Sequence, residues 1–276
     1  MKVEKEEFFE QEVEALIEDI YSQYGYDFSG YARASVYRRV KRFLNNKNVS
    51  TVAELKNKVL DDSYYFESFL QEITVNVTEM FRDPSFFQSL RNNVLPMLST
   101  YPFIKIWDAG CSTGEELFSL AILLQEEGLL DRTKIYATDI NQKVLKQAKE
   151  GIFPTSNIAA YTSGYYASGG KKEFSSYYLS NYGNMKFDSS LIKNVVFYPH
   201  NLATDSSFNE FHLVLCRNVL IYFNRELQEK VFKLFDDSLV ELGYLALGKK
   251  ETLAMSQISR NYNFVDKNNR IYRKAS

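Results

Sequence analysis

The run Ile106-Trp-Asp-Ala-Gly-Cys-Ser-Thr-Gly-Glu-Glu116 joins an apolar stretch to a helix-like pattern through Gly110 and Gly114, and Ile135-Tyr-Ala-Thr-Asp139 ends a second apolar stretch on a carboxylate. A glycine turn between strand and helix lets the backbone fold tightly and aims free N–H groups at a ligand. An acidic residue at the end of the next strand is placed to accept ribose hydroxyls. Gly110, Ser112, Glu115 and Asp139 are therefore candidate contacts of a nucleotide-type cofactor. The turn lacks the Gly-Lys-Ser/Thr ending of a phosphate loop, and its GxxxG spacing is not the GxGxxG of a dinucleotide site. Glu115 and Glu116 at the helix start repel a pyrophosphate and tolerate a cation. S-adenosylmethionine carries a sulfonium and an ammonium and no phosphate, so the electrostatics point to it. Asp139 or Asn141 also suits the N-cap of the helix that follows.

A third cluster lies in Leu213-Val-Leu-Cys-Arg-Asn-Val-Leu-Ile-Tyr-Phe223, where Arg217 and Asn218 stand at the break of an apolar run. Polar groups there require partners, either the cofactor or substrate, or a buried ion pair. Asn201 and Leu202, after the run Val195 to Tyr198, form another lip of the same crevice. Asn76, Thr78 and Arg82 make the segment before Pro84 unusually polar. His200 and His212 fit no metal or triad spacing, and Cys111 and Cys216 show no CxxC, so no metal site and two reduced, packed thiols are expected.

The elements that must position these residues follow from periodicity. Phe8, Val13, Ile17 and Ile20, then Val36, Val40, Phe43 and Leu44, recur at helical spacing and predict a helical domain over 1–93, with a linker over 94–102. From 103 to 276 apolar strands (Phe103 to Trp107, Lys134 to Thr138, Val195 to Tyr198, Leu213 to Cys216, Tyr244 to Gly248) alternate with helices near 116–127, 141–150 and 225–240. This predicts an α/β domain with a mostly parallel sheet covered on both faces. Phe264 to Tyr272 supplies an antiparallel closing hairpin. The tyrosine- and glycine-rich residues 151–193 break the rhythm and predict an inserted subdomain or lid.

Charge narrows the partners. A net charge of −2 over 276 residues argues against a general nucleic-acid binder. No long apolar run and no signal-peptide pattern occurs, so a cytoplasmic protein without direct membrane insertion is expected. Arg33, Arg38, Arg39, Lys41, Arg42 and Lys47 fall within one stretch free of carboxylates. Arg38, Lys41 and Arg42 oppose the Val36, Val40 and Phe43 stripe and make either a solvated face or a docking surface. No coiled-coil heptads imply an obligate oligomer, and a monomer is expected.

Four ordered blocks, Asn76-Val-Thr-Glu-Met-Phe-Arg82, Ser112-Thr-Gly-Glu-Glu116, Ala137-Thr-Asp-Ile140 and Cys216-Arg-Asn-Val-Leu-Ile-Tyr-Phe223, together with the basic Ser35-Val-Tyr-Arg-Arg-Val-Lys-Arg42, resemble the CheR-type chemotaxis receptor methyltransferases. The resemblance spans nearly the whole chain. It implies an N-terminal all-α domain, a Rossmann-like class I methyltransferase domain with an inserted small β-subdomain, and transfer of a methyl group from S-adenosylmethionine, leaving S-adenosylhomocysteine, to glutamate side chains of chemoreceptor cytoplasmic domains. It implies cofactor contacts at Asn76, Thr78, Arg82, Glu115, Asp139, Asn201, Leu202, Arg217 and Asn218, with Arg82 and Tyr222 as catalytic residues near the methyl and the incoming carboxylate. Gly248-Lys-Lys-Glu-Thr252 stands where Gly-His-Ser-Glu is commoner, which puts a role for that loop in doubt. A small-molecule carboxyl methyltransferase and a non-catalytic S-adenosylmethionine-binding scaffold are the alternatives.

Overall fold

A computed structural model describes residues 2–74 and 78–276. The chain divides into two compact units, Met1–Val75 with Tyr222–Lys230, and Asn76–Ile221 with Val231–Ser276.

The smaller unit is helical: α1 (Lys2–Tyr24), α2 (Arg33–Lys47), α3 (Val52–Asp61) and α4 (Ser63–Ile73). Local chemistry sets the breaks. Asn48, in the left-handed conformation, closes α2. Thr51 Oγ1 accepts from Glu54 N at 3.1 Å while Glu54 Oε2 accepts from Ser50 N at 3.1 Å, a reciprocal cap for α3. Asp62 Oδ1 accepts from Tyr64 N at 2.8 Å and starts α4. The core is built from Val13, Leu16, Ile17 and Ile20 of α1, Val36, Val40 and Phe43 of α2, and Phe66, Phe69, Leu70 and Ile73 of α4. Phe8 departs from the expected stripe and is exposed, because five residues before Val13 is well off the buried face of a 3.6-residue helix. Residues 222–230 are held by Ala32 N to Tyr222 O and Asn224 N to Gly30 O, each 2.8 Å. Gly30 permits this, since a Cβ there would lie 2.8 Å from Leu227 Cδ2.

The larger unit begins with α5 (Pro84–Ser89), a π-helical turn (Leu90–Val94) and α6 (Leu95–Leu98). This corrects the expected division at 93 and the expected linker over 94–102. Phe86, Phe87, Leu90, Val94, Leu95 and Leu98 are buried in the same core as the sheet, so these turns are part of the second unit. The remaining elements are β1 (Ile104–Ala109), α7 (Glu115–Glu126), β2 (Thr133–Asp139), α8 (Gln142–Glu150), β3 (Ile152–Pro154), α9 (Ile158–Ala167), β4 (Tyr178–Asn181), β5 (Asn184–Phe187), β6 (Val195–Pro199), β7 (Phe211–Cys216), α10 (Arg225–Ser238), β8 (Leu239–Leu247), β9 (Tyr262–Asp266) and β10 (Ile271–Lys274). Residues 225–230 of α10 cluster with the smaller unit and 231–238 with the larger.

The main sheet has the order β6-β2-β1-β7-β8-β10-β9, parallel through β8 and closed by the antiparallel β10 and β9. Chain order reverses at β1 and β7, and open parallel sheets bind ligands at the carboxyl ends of strands beside such a reversal. β1 starts one residue later than its pattern suggests, leaving Phe103 exposed. β3, β5 and β4 form a separate antiparallel sheet inside the inserted segment. That insert is tied to α7 by Glu126, which accepts from Tyr165 Oη at 2.5 Å, Tyr177 Oη at 3.0 Å and Arg91 Nη2 at 2.6 Å. These charge-assisted bonds hold the Glu126 carboxyl below its usual range against the opposing effect of burial. Among the described residues no helix is long and apolar enough to cross a membrane.

Candidate functional site

The larger unit gathers the polar breaks at the carboxyl ends of its parallel strands. Gly110 and Ser112 follow β1, Asp139 ends β2, Asn201 and Leu202 follow β6, and Arg217 and Asn218 follow β7. Ser112 and Asn218, in two of these segments, take positive φ, as do Phe81 and Asp83 just before α5, an uncommon state for residues with a Cβ.

The glycine turn is needed for packing as much as for approach. Gly110 has φ +83° and a Cβ would stand 2.5 Å from Val219 Cγ2; Gly114 has φ +99° and a Cβ would stand 2.9 Å from Ala148 Cβ. The first approach packs the turn against the segment after β7, and the second seats the start of α7 against α8. Ser112 N donates to Asp139 Oδ2 at 3.0 Å, and Asn141 N donates to Asp139 Oδ1 at 2.9 Å. Burial pushes the Asp139 carboxyl up to about 6, with those N–H donors opposing the rise. Asn141, not Asp139, caps α8, through its Oδ1 and Lys143 N. Ser112 Oγ and Asn141 Nδ2 are buried without hydrogen-bond partners among the described residues. A hydroxyl and an amide left unpaired beside a carboxylate suit a polar ligand.

Glu115 is buried at the first turn of α7, where its Oε2 accepts from Thr113 Oγ1 at 2.6 Å. Desolvation raises its carboxyl, while Thr113 and Tyr161 hydrogen bonds oppose the shift. Arg217 is buried and bound on two sides: Nη1 to Glu116 Oε2, and Nη2 to Asp83 Oδ2 at 2.8 Å. Its guanidinium also lies 3.9 Å from the centroid of the Phe86 ring. Of the two readings weighed for Arg217, the buried ion pair is the one the geometry displays. Arg82 is half-buried, and its backbone carbonyl accepts from Arg217 Nη2 at 3.4 Å. Thr78 is half-buried before it, and Asn76 lies outside the described residues. Asn201 Oδ1 accepts from Ala203 N at 2.9 Å, so this side chain shapes the turn that buries Leu202.

Glu251 is a site-forming residue that sequence reasoning missed. Its buried carboxylate accepts from Gly248 N at 2.6 Å, Asn218 N at 3.0 Å and Ile221 N at 3.3 Å. It thereby holds the left-handed Asn218 and the turn after β7. A Cβ on Gly248 would lie 2.8 Å from Asn218 N, which explains the glycine. The signal was Glu251 falling on the acidic position of the Gly-His-Ser-Glu run, soon after an apolar strand, while Lys249 and Lys250 drew attention away from it. Replacing Glu251 with Gln substitutes a donor for one acceptor oxygen, and a loss of about 1–2 kcal/mol in urea unfolding is expected.

The other titratable groups are engaged elsewhere. His200 is buried against Trp107 and Phe208, and His212 Nδ1 accepts from Lys105 N at 3.0 Å; burial lowers both imidazoles, so both are neutral at pH 7. Cys111 and Cys216 are free and buried, with thiols pushed far up. Among the described residues no group of His, Cys, Asp and Glu is arranged to hold a metal ion.

In the smaller unit Tyr222 lies beneath Arg39, whose guanidinium carbon is 5.4 Å from the ring centroid. Arg39 Nη1 also donates to Glu72 O at 3.0 Å. The three cations expected to dock a partner differ in engagement. Lys41 Nζ is 3.1 Å from Glu6, Arg42 Nε is 2.7 Å from Glu72, and Arg38 is exposed with no ion pair among the described residues.

Glycine turn, strand-end carboxylate and parallel sheet with an antiparallel closing pair define a Rossmann-like methyltransferase domain. Asp108 lies among Glu116, Asp139 and Arg217, and Glu115 is buried at the start of α7, an acidic balance that fits a cationic, phosphate-free cofactor. Residues 76–270 match the model described as CheR methyltransferase, SAM binding domain, and residues 11–74 match CheR methyltransferase, all-alpha domain. The chain belongs to the CheR methyltransferase family and uses S-adenosylmethionine as its cofactor. It is 50% identical over 264 residues to a Pseudomonas putida protein carrying the methyltransferase designation Cher3, covering 96% of this chain and 97% of that one. A chemotaxis protein methyltransferase of Borreliella burgdorferi is 30% identical, with 88% of each chain covered. Chemotaxis protein methyltransferase 1 of Vibrio cholerae is 35% identical over 190 residues, 66% of each chain.

Proposed function

We propose that this methyltransferase esterifies glutamate side chains on the cytoplasmic domain of a chemoreceptor. The observation that carries a protein substrate is the outer face of α2, where Arg38, Lys41 and Arg42 stand exposed opposite the buried Val36, Val40 and Phe43. The names of the Borreliella and Vibrio relatives support the chemotaxis setting.

The bound cofactor supplies an electrophilic methyl group on a sulfonium. Asp139 would accept the ribose hydroxyls of this cofactor, and Ser112, Glu115, Asn201 and Asn218 would hold its remaining polar edges. An acceptor glutamate is already ionised near pH 7, so no residue need remove a proton before an in-line displacement. Arg82 aligns the acceptor carboxylate by charge-assisted hydrogen bonding. Positioning and exclusion of water carry the rate. The protein works in the cytoplasm as a monomer, with domains of receptors as its partners.

The test is incubation with tritiated S-adenosylmethionine and receptor cytoplasmic fragments, reading base-labile methyl release, with Arg82→Ala as control. Label on the fragments that alkali releases supports the reading. Cofactor binding without ester formation overturns it in favour of a scaffold, and label appearing only on small carboxylic acids overturns it in favour of a small-molecule enzyme.

Reversing charge on α2 separates docking from chemistry. Arg38→Glu with Arg42→Glu is expected to raise the KM for the receptor fragment about tenfold at low salt, while S-adenosylhomocysteine affinity stays unchanged. Equal methylation by variant and parent would remove α2 from the docking surface.

A further inference from the structure

Arg82 stands between two residues in the left-handed conformation, Phe81 at φ +51° and Asp83 at φ +57°. A bulky side chain takes that conformation only where its surroundings impose it. After Arg82 the anchor is charged. Arg217 Nη2 donates to Arg82 O at 3.4 Å and to Asp83 Oδ2 at 2.8 Å, and Lys249 Nζ lies 3.1 Å from Asp83 Oδ1.

Before Arg82 the anchor is apolar and comes largely from the inserted segment. Phe81 N donates to Ser119 Oγ on α7 at 2.8 Å. The Phe81 ring meets Phe87 edge-on at 5.3 Å between centroids, and from the insert it meets Tyr165 at 5.3 Å and Phe174 at 6.1 Å. All four rings are buried. Tyr165 is itself fixed, since its Oη donates to Glu126 Oε1 at 2.5 Å and accepts from Lys172 N at 2.8 Å. Gly164 closes the contact. It lies inside α9 without a positive φ, so no turn requires a glycine there, and glycine within a helix is unfavourable relative to alanine. A Cβ at Gly164 would stand 3.2 Å from Phe81 Cβ and 3.4 Å from the carbonyl oxygens of Met80 and Phe81. What this glycine provides is close approach of α9 to the segment that leads into Arg82.

We infer that Gly164, Tyr165 and Phe174 are positioning residues for Arg82: they clamp Phe81 and so set where the next residue presents its guanidinium. The clamp rests on Arg82 contacting cofactor and acceptor as proposed above, and it makes the insert part of the machinery of methyl transfer.

The decisive variant is Gly164→Ala, because alanine favours the helix while its methyl displaces the Met80 and Phe81 backbone by a few tenths of an ångström. Two quantities are read: S-adenosylhomocysteine affinity by calorimetry, which needs no methyl acceptor, and kcat for ester formation on the receptor fragment. Gly164→Ala is expected to weaken affinity about threefold and to lower kcat about tenfold at unchanged KM for the fragment, since small misplacements of an aligning group are costly. Its urea midpoint is expected to hold. In an Arg82→Lys background, whose ammonium has no planar fork to aim, the same substitution is expected to change either quantity by less than about twofold. Phe174→Leu loosens the clamp from the other side and should repeat the pattern, which keeps the test open if Gly164→Ala lowers the midpoint. Parent affinity and kcat in both variants, or losses of equal size in the Arg82→Lys background, overturn the proposal. Full affinity and activity of Arg82→Lys alone overturn it by a separate route, by removing Arg82 from the site. If the parent leaves receptor fragments unlabelled, the affinity measurements decide by themselves.

Discussion

Arg217→Met is expected to destabilise the larger unit by about 3–5 kcal/mol, the range for removing one partner of a buried ion pair. The guanidinium side chain is 1% exposed and binds Glu116 and Asp83, which are themselves 15% and 24% exposed. Methionine conserves much of the apolar volume against Phe86 but strands Glu116 and the nearby Asp108, while Asp83 keeps Lys249 Nζ at 3.1 Å. Trp107 is the sole tryptophan and lies wholly within the larger unit's core, so its fluorescence in a urea titration reads this unit. The midpoint should fall without a change in slope. Adding Glu116→Leu to Arg217→Met should restore part of the loss, because removing both partners is far cheaper than stranding one. The same pair of variants distinguishes an ion pair from a direct cofactor contact. If Arg217 served the cofactor first, Arg217→Met would lose S-adenosylhomocysteine affinity while keeping its urea midpoint.

That Arg217 mattered was legible from the sequence, since a guanidinium at the break of an apolar strand demands a partner. Which partner was not, because Glu116 and Asp83 are 101 and 134 residues away and meet it only through the sheet order. The same distinction runs through the rest of the molecule. Gly110, Asp139 and Asn218 could be placed at strand ends because strand-turn-helix patterning is local. The parallel α/β sheet and its antiparallel closure followed from the same periodicity. The unit boundary could not be read, because Phe86, Leu90 and Val94 repeat at helical spacing just as Val13 and Ile17 do, and only packing reveals which core they join. Glu251 and Asp108 were hidden for a related reason. One looks like an ordinary loop acid and the other like a polar strand residue, until burial and the groups around each are known.

Asp139 should make cofactor affinity fall as the pH drops below about 6, the value to which burial raises its carboxyl. The ionised carboxylate accepts hydroxyl hydrogens on both oxygens, whereas protonation converts one acceptor into a donor. Affinity for S-adenosylhomocysteine should therefore decline about tenfold per pH unit below that point. Stability moves in the opposite direction. The folded carboxyl titrates above its ordinary 3.8, so the folded state binds the proton more tightly than the unfolded chain. This contribution is full below about 4 and is lost as pH rises through about 6, which makes the ionised group cost about 3 kcal/mol at neutral pH. Asp139→Ala should thus bind cofactor about a hundredfold more weakly without a matching loss of stability at pH 7.5, although Ser112 N and Asn141 N lose their acceptor and recover part of the difference. Calorimetric binding from pH 5 to 8, run beside urea titrations over the same range, checks both signs. A flat affinity profile in the parent chain would show that Asp139 does not carry the ribose contact. A variant that unfolds at neutral pH would instead show that its two backbone hydrogen bonds outweigh the cost of its buried charge.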